Sequence, residues 1–582
     1  MLQQLIEYAE RHGIYGEAGF TSKRVRWLLT FSSQGEYLGI IEQSEPGKKP
    51  GVGKVFPKVP HLKFGGDTPM RQFLVDTTQY ALLYGEDTPN KKLNAKHEYF
   101  LNLLRAAGDT EPFLTKTADA LADHSIRLQI CSDLDRQSPK AKPIDNITFA
   151  EIKEGNARII VVQDTWHRWW GEYFPTLFKE RKTVNAMRCL ISGKNCEPLQ
   201  THPKIKGIGG DVGGKEETTL ISFNKDAFCS YGLTQSSNAA VSAELAEQYV
   251  AGLNELIAYH SHRLTATKIV HWYAGNDIVP DELDPLNWLC AEVVDETVER
   301  DAQAKARSLL DSIRSGNRSD LLDYRYYSMT LSGSSARVMV RDWIEGQFGD
   351  LANNIDTWFS DLAIVRREGG NLAPRPKFLA VLGSMVRDLK DVPSPVETKM
   401  WRVAIQNEVI PEFAVAQVLA RVKVDIIQDS VMNHARMGLL KAYHIRKGDK
   451  DMQPYLNEEH PNPAYHCGRL MAVYADLQYA ALGDVGAGVV QRYYAAASAT
   501  PALILGRLSR GSQFHLNKLD TGLAHWYEQR LAAIWGQIKD QAPVTLTLEE
   551  QSLFALGYYQ QKAIRTISKQ NDSTNNSEAK GA

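Results

Sequence analysis

The sequence predicts an α+β protein: a mixed α/β N-terminal region with antiparallel hairpins, followed by an all-helical C-terminal bundle. Two observations point to the hairpins. The segments "RVRWLLTFSSQGEYLGIIEQ" and "YRYYSMTLSGSSARVMVRDW" alternate apolar and polar residues on either side of a short turn, the period of paired strands. A third points to the bundle. From about Ile344 strand signals vanish and three-to-four spacing takes over, as in "PAYHCGRLMAVYADLQYAALG", where Cys467, Leu470, Tyr474, Leu477 and Ala481 share a stripe. The regions are accordingly drawn at 1–343 and 344–568, and the polar, low-complexity tail over 569–582 reads as disordered.

Each element follows from local pattern. "MLQQLIEYAERHG" lacks a basic stretch followed by an apolar one, so it reads as a helix stopped by Gly13 and not as a signal peptide. The first hairpin turns at Ser-Gln-Gly. "SEPGKKPGVGKVFPKVPHLKFGGDTP" is rich in turn residues and has no apolar period, so it reads as loop. Helical patterns cover about 70–84, 96–107 and 111–123. "ARIIVV" reads as a strand before "TWHRWWGEYF", and "TTLISFN" as a strand after a glycine-rich segment. A helix follows at about 241–260, then a strand at "TATKIVHWYA". The second hairpin turns at Gly333-Ser334-Ser335, with Arg337, Met339 and Arg341 on one face of the return strand and Val338 and Val340 on the other. The last helix opens with a capping box, Thr547 and Glu550, ahead of "SLFALGYYQQKAI".

Among 582 residues, 43% are hydrophobic and 23% charged, ordinary values for a globular chain of several domains. No apolar run reaches the roughly 18 residues of a membrane span. The six cysteines, Cys131, Cys189, Cys196, Cys229, Cys290 and Cys467, form no C-x-x-C pair. That spacing argues against a zinc site or a disulfide framework and favours a reducing cytoplasm. The net charge is −2, but it is unevenly spread. Residues 21–66 hold eight basic against three acidic residues, and residues 431–448 hold Arg436, Lys441, Arg446 and Lys447 with no acid. Such strips suit a chain that touches nucleic acid along limited surfaces, although a solvated face carries the same pattern.

Catalysis has no obvious seat. "GGDVGGKE" approaches the P-loop pattern G-x-x-x-x-G-K-[ST]: Gly209, Gly214 and Lys215 fit, but Glu216 stands where the magnesium-binding hydroxyl belongs. A loop precedes these glycines and a strand follows, the reverse of the strand and helix that a nucleotide cradle needs. Lys204 and Lys206 flank the glycine turn, where backbone N–H groups can serve phosphate oxygens of DNA. His260, His262 and His271 have no carboxylate-rich cluster nearby, and His260-Ser-His262 is a poor ligand pair for a helix. "TWHRWW" and "YYAAASATPALILGRLSRGSQ" mix aromatics with arginine, as strand-binding surfaces do, but core packing accounts for Trp169 and Trp170. No cofactor is called for. A metal-dependent nuclease or nucleotide hydrolase is the rival reading, and a purely architectural RNA- and protein-binding subunit is a third.

Several segments together resemble one family. "HPKIKGIGG" followed by "LISFNKDAFCSYGLTQSSNAAVS", then "SMTLSGSSARVMVRDW", "NPAYHCGRLMAVYADLQ", "YYAAASATPALILGRL" and "FALGYYQQKA" are similar, in this order, to the large subunit of the type I-C CRISPR surveillance complex, Cascade. The match runs from "RVRWLLTF" to about Lys562. The chain departs from the family pattern with Ser-Ser in "GLTQSSNAA" and with Gln in "GYYQQK". The resemblance implies a non-catalytic, cytoplasmic DNA-binding subunit that recognises a protospacer-adjacent motif in duplex DNA, promotes R-loop formation and holds the displaced strand. It implies crRNA, backbone subunits, a crRNA-processing subunit, a small subunit and a helicase-nuclease as partners, and no membrane. An internal start at Met452 would release the small subunit from the same gene; Met471 would cut the following helix. The contacts expected on duplex DNA are Lys54, Lys58, Lys63, Lys204, Lys206, Gly209 and Gly210, with Asn224, Gln235 and Asn238 as base-edge readers. Arg436, Lys441, Arg469, Arg492, Arg507 and Arg510 are expected on the displaced strand.

Overall fold

The computed structural model describes residues 1–14, 19–44, 51, 53–62, 68–86, 90–178, 186–209, 212–223, 225–274, 283–290, 296–426 and 433–578. The chain forms two compact units, one of Met1–Lys204 with Ile221–Leu253, the other of Ile205–Leu220 with Asn254–Ala582.

The first unit contains α1 (Leu2–Arg11), β1 (Phe20–Val25), β2 (Trp27–Ser32), β3 (Tyr37–Glu42), β4 (Lys54–Pro60), β5 (Asp76–Thr77), α2 (Thr78–Leu82), α3 (Lys91–Ala106), α4 (Pro112–Ala122), α5 (His124–Asp135), β6 (Asn146–Lys153), β7 (Asn156–Ile159), α6 (His167–Tyr173), β8 (Met187–Arg188), β9 (Asn195–Cys196) and the start of α7 (Ala243–Tyr259). The expected hairpin is present: β2 and β3 pair antiparallel from Trp27 opposite Glu42 to Phe31 opposite Tyr37. β2 also lies parallel to β6, in a sheet of order β3-β2-β6-β5 with β7 on β6. Trp27, Phe31, Phe149 and Phe100 fill the core of this unit. Trp170 stacks on Phe73 at 5.2 Å between centroids and donates to the Gly19 carbonyl at 2.7 Å, so the Trp pair of "TWHRWW" serves packing.

Three local expectations are corrected here. The stretch read as loop contains β4, which pairs antiparallel with β1 from Phe20 opposite Pro60 to Val25 opposite Lys54. Pro57 falls at the register shift between Thr21 and Lys23, where a missing N–H breaks no ladder bond. The helix expected at 70–84 is confined to Thr78–Leu82. Phe73, Leu74 and Val75 are buried in a turn that takes Leu74 to φ 57°, so an apolar run that mimics helical spacing belongs to a bend in the core. "ARIIVV" is a strand only to Ile159 and then makes a single 3-10 turn over Ile160–Val162.

The second unit contains β10 (Gly214–Thr219), β11 (Ser261–Arg263), β12 (Lys268–Ala274), α8 (Pro285–Cys290), α9 (Glu296–Arg314), β13 (Arg325–Gln347), α10 (Phe348–Asp361), α11 (Phe378–Ser384), α12 (Ser394–Ile405), α13 (Glu412–Asp425), α14 (His434–Arg446), α15 (Pro463–Leu482), α16 (Val489–Ala497), α17 (Pro501–Leu516), α18 (Thr521–Ile538) and α19 (Leu548–Glu578). Its sheet has the order β10-β13-β12-β11. β13 folds back on itself as the expected hairpin: Arg325 meets Glu345 at 3.4 Å, Tyr327 stacks on Trp343, and Arg341 Nε donates to Ser332 Oγ at 2.7 Å. The strand after the glycines lies on Gly214–Thr219 and takes in only the first two residues of "TTLISFN", Thr218 and Thr219.

α15 is the axis of the helical bundle. Every residue from Ala464 to Leu477 is buried, and α17, α18 and above all α19 pack around it. Both halves of the capping box close, with Thr547 N–H donating to Glu550 Oε2 at 2.8 Å and Glu550 N–H to Thr547 Oγ1 at 3.3 Å. The side chains of the segment read as a tail lie outside the described residues. No helix among the described residues is long and apolar enough to cross a membrane.

Candidate nucleic-acid interface

The β1–β4 ribbon gathers the N-terminal basic island. Its inner side buries Val25, Phe56 and Val59. On the ribbon Arg24 and Lys54 are exposed and Lys58 is partly so. Lys54 Nζ lies over the Phe56 ring, 5.7 Å from its centroid, and Lys58 Nζ over the Phe20 ring at 5.0 Å, so each ammonium group rests against an aromatic face. Lys23 Nζ donates to the Val75 carbonyl at 3.2 Å, and Asn146 Nδ2 to the Arg24 carbonyl at 2.8 Å, which fixes the ribbon on the unit. Arg26 belongs to the interior instead: it pairs with Glu42 at 2.9 Å and Asp145 at 2.8 Å. Arg24 counts toward the basic strip, but sequence pattern does not mark it as a contact, because its exposure depends on pairing with a strand that prolines disguise. Lys63 lies outside the described residues.

The glycine loop is anchored from below. Ile205, Ile208 and Val212 are buried, and Ile205 bridges Thr218. Lys206 N–H donates to Asn254 Oδ1 at 2.7 Å, and Lys268 Nζ to the Gly207 carbonyl at 3.0 Å. Gly213 has φ 82° and a Cβ there would stand 2.9 Å from the Gly333 carbonyl, so this glycine permits close approach to the β13 hairpin. β10 follows the glycines where a nucleotide cradle has a helix. The side chains of Lys204 and Lys206 are exposed, and Gly209 is half-buried. Gly210 and Asn224 lie outside the described residues.

Gln235 is exposed at φ 48°. Asn238 is used by its own loop: its Oδ1 accepts from Ser230 N–H at 3.0 Å, and its Nδ2 donates to the carbonyls of Leu233 and Gln235 at 3.2 and 2.9 Å. Its amide therefore shapes the loop that it was expected to read bases from. That loop presents Tyr231, 100% exposed at φ 53°, an aromatic that sequence pattern does not distinguish from a core tyrosine.

The six expected displaced-strand residues divide into two groups. Arg436 pairs with Asp425 at 2.6 Å and donates to the Ser384 carbonyl at 2.9 Å. Arg469 donates to Gln561 Oε1 at 3.0 Å, to the Glu458 carbonyl at 3.1 Å and to the Glu458 carboxylate at 2.9 Å. Lys441 is 1% exposed, and burial brings its pKa down to about 8. Helix packing encloses these three, so their charges act inside the bundle and not on a strand. Arg492, Arg507 and Arg510 are exposed on α16 and α17. On α17 the positions Leu503, Arg507, Arg510 and Phe514 share one outward stripe, with Leu503 66% and Phe514 75% exposed. On α18 the Arg530 guanidinium lies 5.3 Å from the centroid of the half-exposed Trp526 ring.

Two of the three histidines considered for metal, His271 and His262, are taken up by polar contacts. His271 Nε2 meets Asp284 at 2.6 Å, and His262 Nε2 meets Asn287 Oδ1 at 2.8 Å. Burial, followed by the neighbouring His271, lowers the His262 pKa to about 4.

The sequence model of the CRISPR-associated protein family Cas_Csd1 matches residues 3–565. No curated protein matches the chain.

Proposed function

The chain belongs to the Cas_Csd1 family of CRISPR-associated proteins, and from that membership we propose that it is the non-catalytic large subunit of a crRNA-guided type I-C complex. In this reading it recognises a protospacer-adjacent motif in duplex DNA, promotes R-loop formation, holds the displaced strand and helps recruit the helicase-nuclease. Guide pairing supplies most of the sequence specificity, and the protein reads a short motif and the sugar-phosphate backbone.

The observation that carries the reading is the β1–β4 ribbon with Arg24, Lys54 and Lys58. A two-stranded antiparallel ribbon has the width of a DNA major groove, and cations along it neutralise phosphates. Lys204 and Lys206 add phosphate contacts, and the exposed loop of Gln235 and Tyr231 offers an amide and a ring that suit base edges and base faces. Arg492, Arg507 and Arg510, with exposed apolar neighbours, suit a displaced single strand. Backbone subunits, the crRNA-processing subunit and the small subunit are its proposed partners. Met452 stands before α15, and α15 to α19 pack chiefly on one another, as a separately translated small subunit would require.

Photocrosslinking of the assembled complex to duplexes with and without the motif tests the reading. Motif-dependent crosslinks in the N-terminal half, weakened by Lys204→Ala with Lys206→Ala, are expected. Equal crosslinking to both duplexes would leave only an architectural role. Mass spectrometry of the complex made from the native gene tests the internal start; full-length product alone would remove it.

A further inference from the structure

In the short β8–β9 hairpin Cys189 follows directly on β8 and Cys196 ends β9. Met187 pairs with Cys196 and Arg188 with Asn195, and Cys189 N–H donates to the Lys194 carbonyl at 2.8 Å. Cys189 thus stands opposite Lys194, two positions from Cys196 on the neighbouring strand, and alternation puts both side chains on one face. The Cys196 thiol lies close enough to the Cys189 sulfur for each to bear on the other's ionisation. The Cys189 sulfur accepts from the Ser192 hydroxyl and from the backbone N–H groups of Ser192, Ser242 and Ile191. Burial works against ionisation of Cys189, but these donors outweigh it and bring its pKa down to about 7. Burial and then the charge of Cys189 push Cys196 up.

The other thiols are built differently. Burial raises Cys131 to about 11 and Cys467 to about 12, and Cys290 is pushed up as well. Among the described residues no group of three or more His, Cys, Asp or Glu side chains could hold a metal ion. Cys189 and Cys196 are therefore a two-thiol arrangement with a nucleophile and a resolving partner in contact.

We propose that Cys189 and Cys196 are a reversible redox pair that closes to a disulfide under peroxide. The Cys189 thiolate attacks one peroxide oxygen; an S–O bond forms, the O–O bond breaks and hydroxide leaves. Cys189 is thereby oxidised by two electrons to the sulfenic acid. The Cys196 sulfur then attacks Cys189; the S–S bond forms, the S–O bond breaks, and the departing hydroxide takes the Cys196 proton as water. A dithiol reductant reverses the change. The hairpin is tied down by Leu190 N–H to the Ala240 carbonyl at 2.8 Å and by Leu199 N–H to the Val241 carbonyl at 3.1 Å. Closure would thus brace the segment that leads into Lys204.

The full chain, reduced and freed of reductant, is treated with hydrogen peroxide, capped with N-ethylmaleimide under denaturing conditions and digested with trypsin. Cleavage after Arg188, Lys194 and Lys204 puts the two cysteines on separate peptides, Cys189–Lys194 and Asn195–Lys204. The expected product is the two peptides joined, lighter than their sum by two hydrogens and separated by dithiothreitol, at peroxide doses that leave Cys131 and Cys467 capped. In the Cys196→Ser variant dimedone should label Cys189. Recovery of both peptides singly capped, or joining of either cysteine to Cys229 instead, overturns the proposal, as does an unlabelled Cys189 in the variant. No nucleic acid enters the measurement, so its failure leaves the DNA-binding reading standing.

Discussion

Gly468 of α15 rests on the backbone of α19, and Gly557 of α19 rests in turn on the backbone of α15. A Cβ on Gly468 would stand 1.9 Å from the Phe554 carbonyl oxygen, and one on Gly557 would stand 2.0 Å from that of Tyr465. Backbone cannot give way as a flexible side chain can, so the two helices approach this closely only without side chains there. Gly468→Ala and Gly557→Ala should each destabilise the bundle by about 1–3 kcal/mol, read as a lower thermal midpoint. An unchanged midpoint in both variants would mean that the crossing is looser than these distances require.

Burial separates two kinds of arginine in the same bundle. Arg507→Ala with Arg510→Ala should weaken binding of single-stranded DNA by the complex and leave the thermal midpoint within about 2 °C of the parent, as exposed substitutions do. Arg469→Ala removes a guanidinium that serves Gln561 and Glu458, and should lower the midpoint whether or not DNA is present. Parallel binding titrations and melts distinguish the double variant from Arg469→Ala.

Lys441 gives a pH signature. Burial lowers its pKa to about 8 from the 10.5 of a free lysine, so between these values the unfolded chain holds more protons than the folded one. The cost of burying the charge is then fully present below pH 8 and disappears as pH rises toward 10.5. Lys441→Met should stabilise the chain at pH 7 by an amount on the order of 3 kcal/mol or less, and the gain should shrink by about pH 10. Denaturant unfolding of both proteins at neutral and at alkaline pH checks the sign; a gain that grows with pH would contradict it.

The legible parts of the sequence are those whose pattern is complete within one element. The β2–β3 and β13 hairpins alternate along their own strands, and Thr547 with Glu550 declares the start of α19 locally. β4 is hidden because its register depends on β1, about thirty residues earlier, and because Pro57 and Pro60 look like loop residues until a bulge and a free edge absorb them. The same limit governs the site. Arg436 and Arg507 each look like one basic residue on a polar helix position, yet Asp425 and the Ser384 carbonyl enclose the first while the second faces solvent. Sequence spacing identifies a face, and only tertiary packing decides whether that face is covered. Asn238 shows the converse: a residue type suited to base edges whose amide is taken by its own loop.

The measurement that bears most directly on the central claim is the salt dependence of duplex binding by the assembled complex carrying Arg24→Ala, Lys54→Ala and Lys58→Ala. If the ribbon lies along DNA, affinity for the motif-bearing duplex falls. The slope of log K against log salt then becomes shallower by about 0.9 for each phosphate that the ribbon no longer neutralises, roughly two to three units in all. An affinity and a slope equal to those of the parent complex would show that the ribbon does not touch DNA.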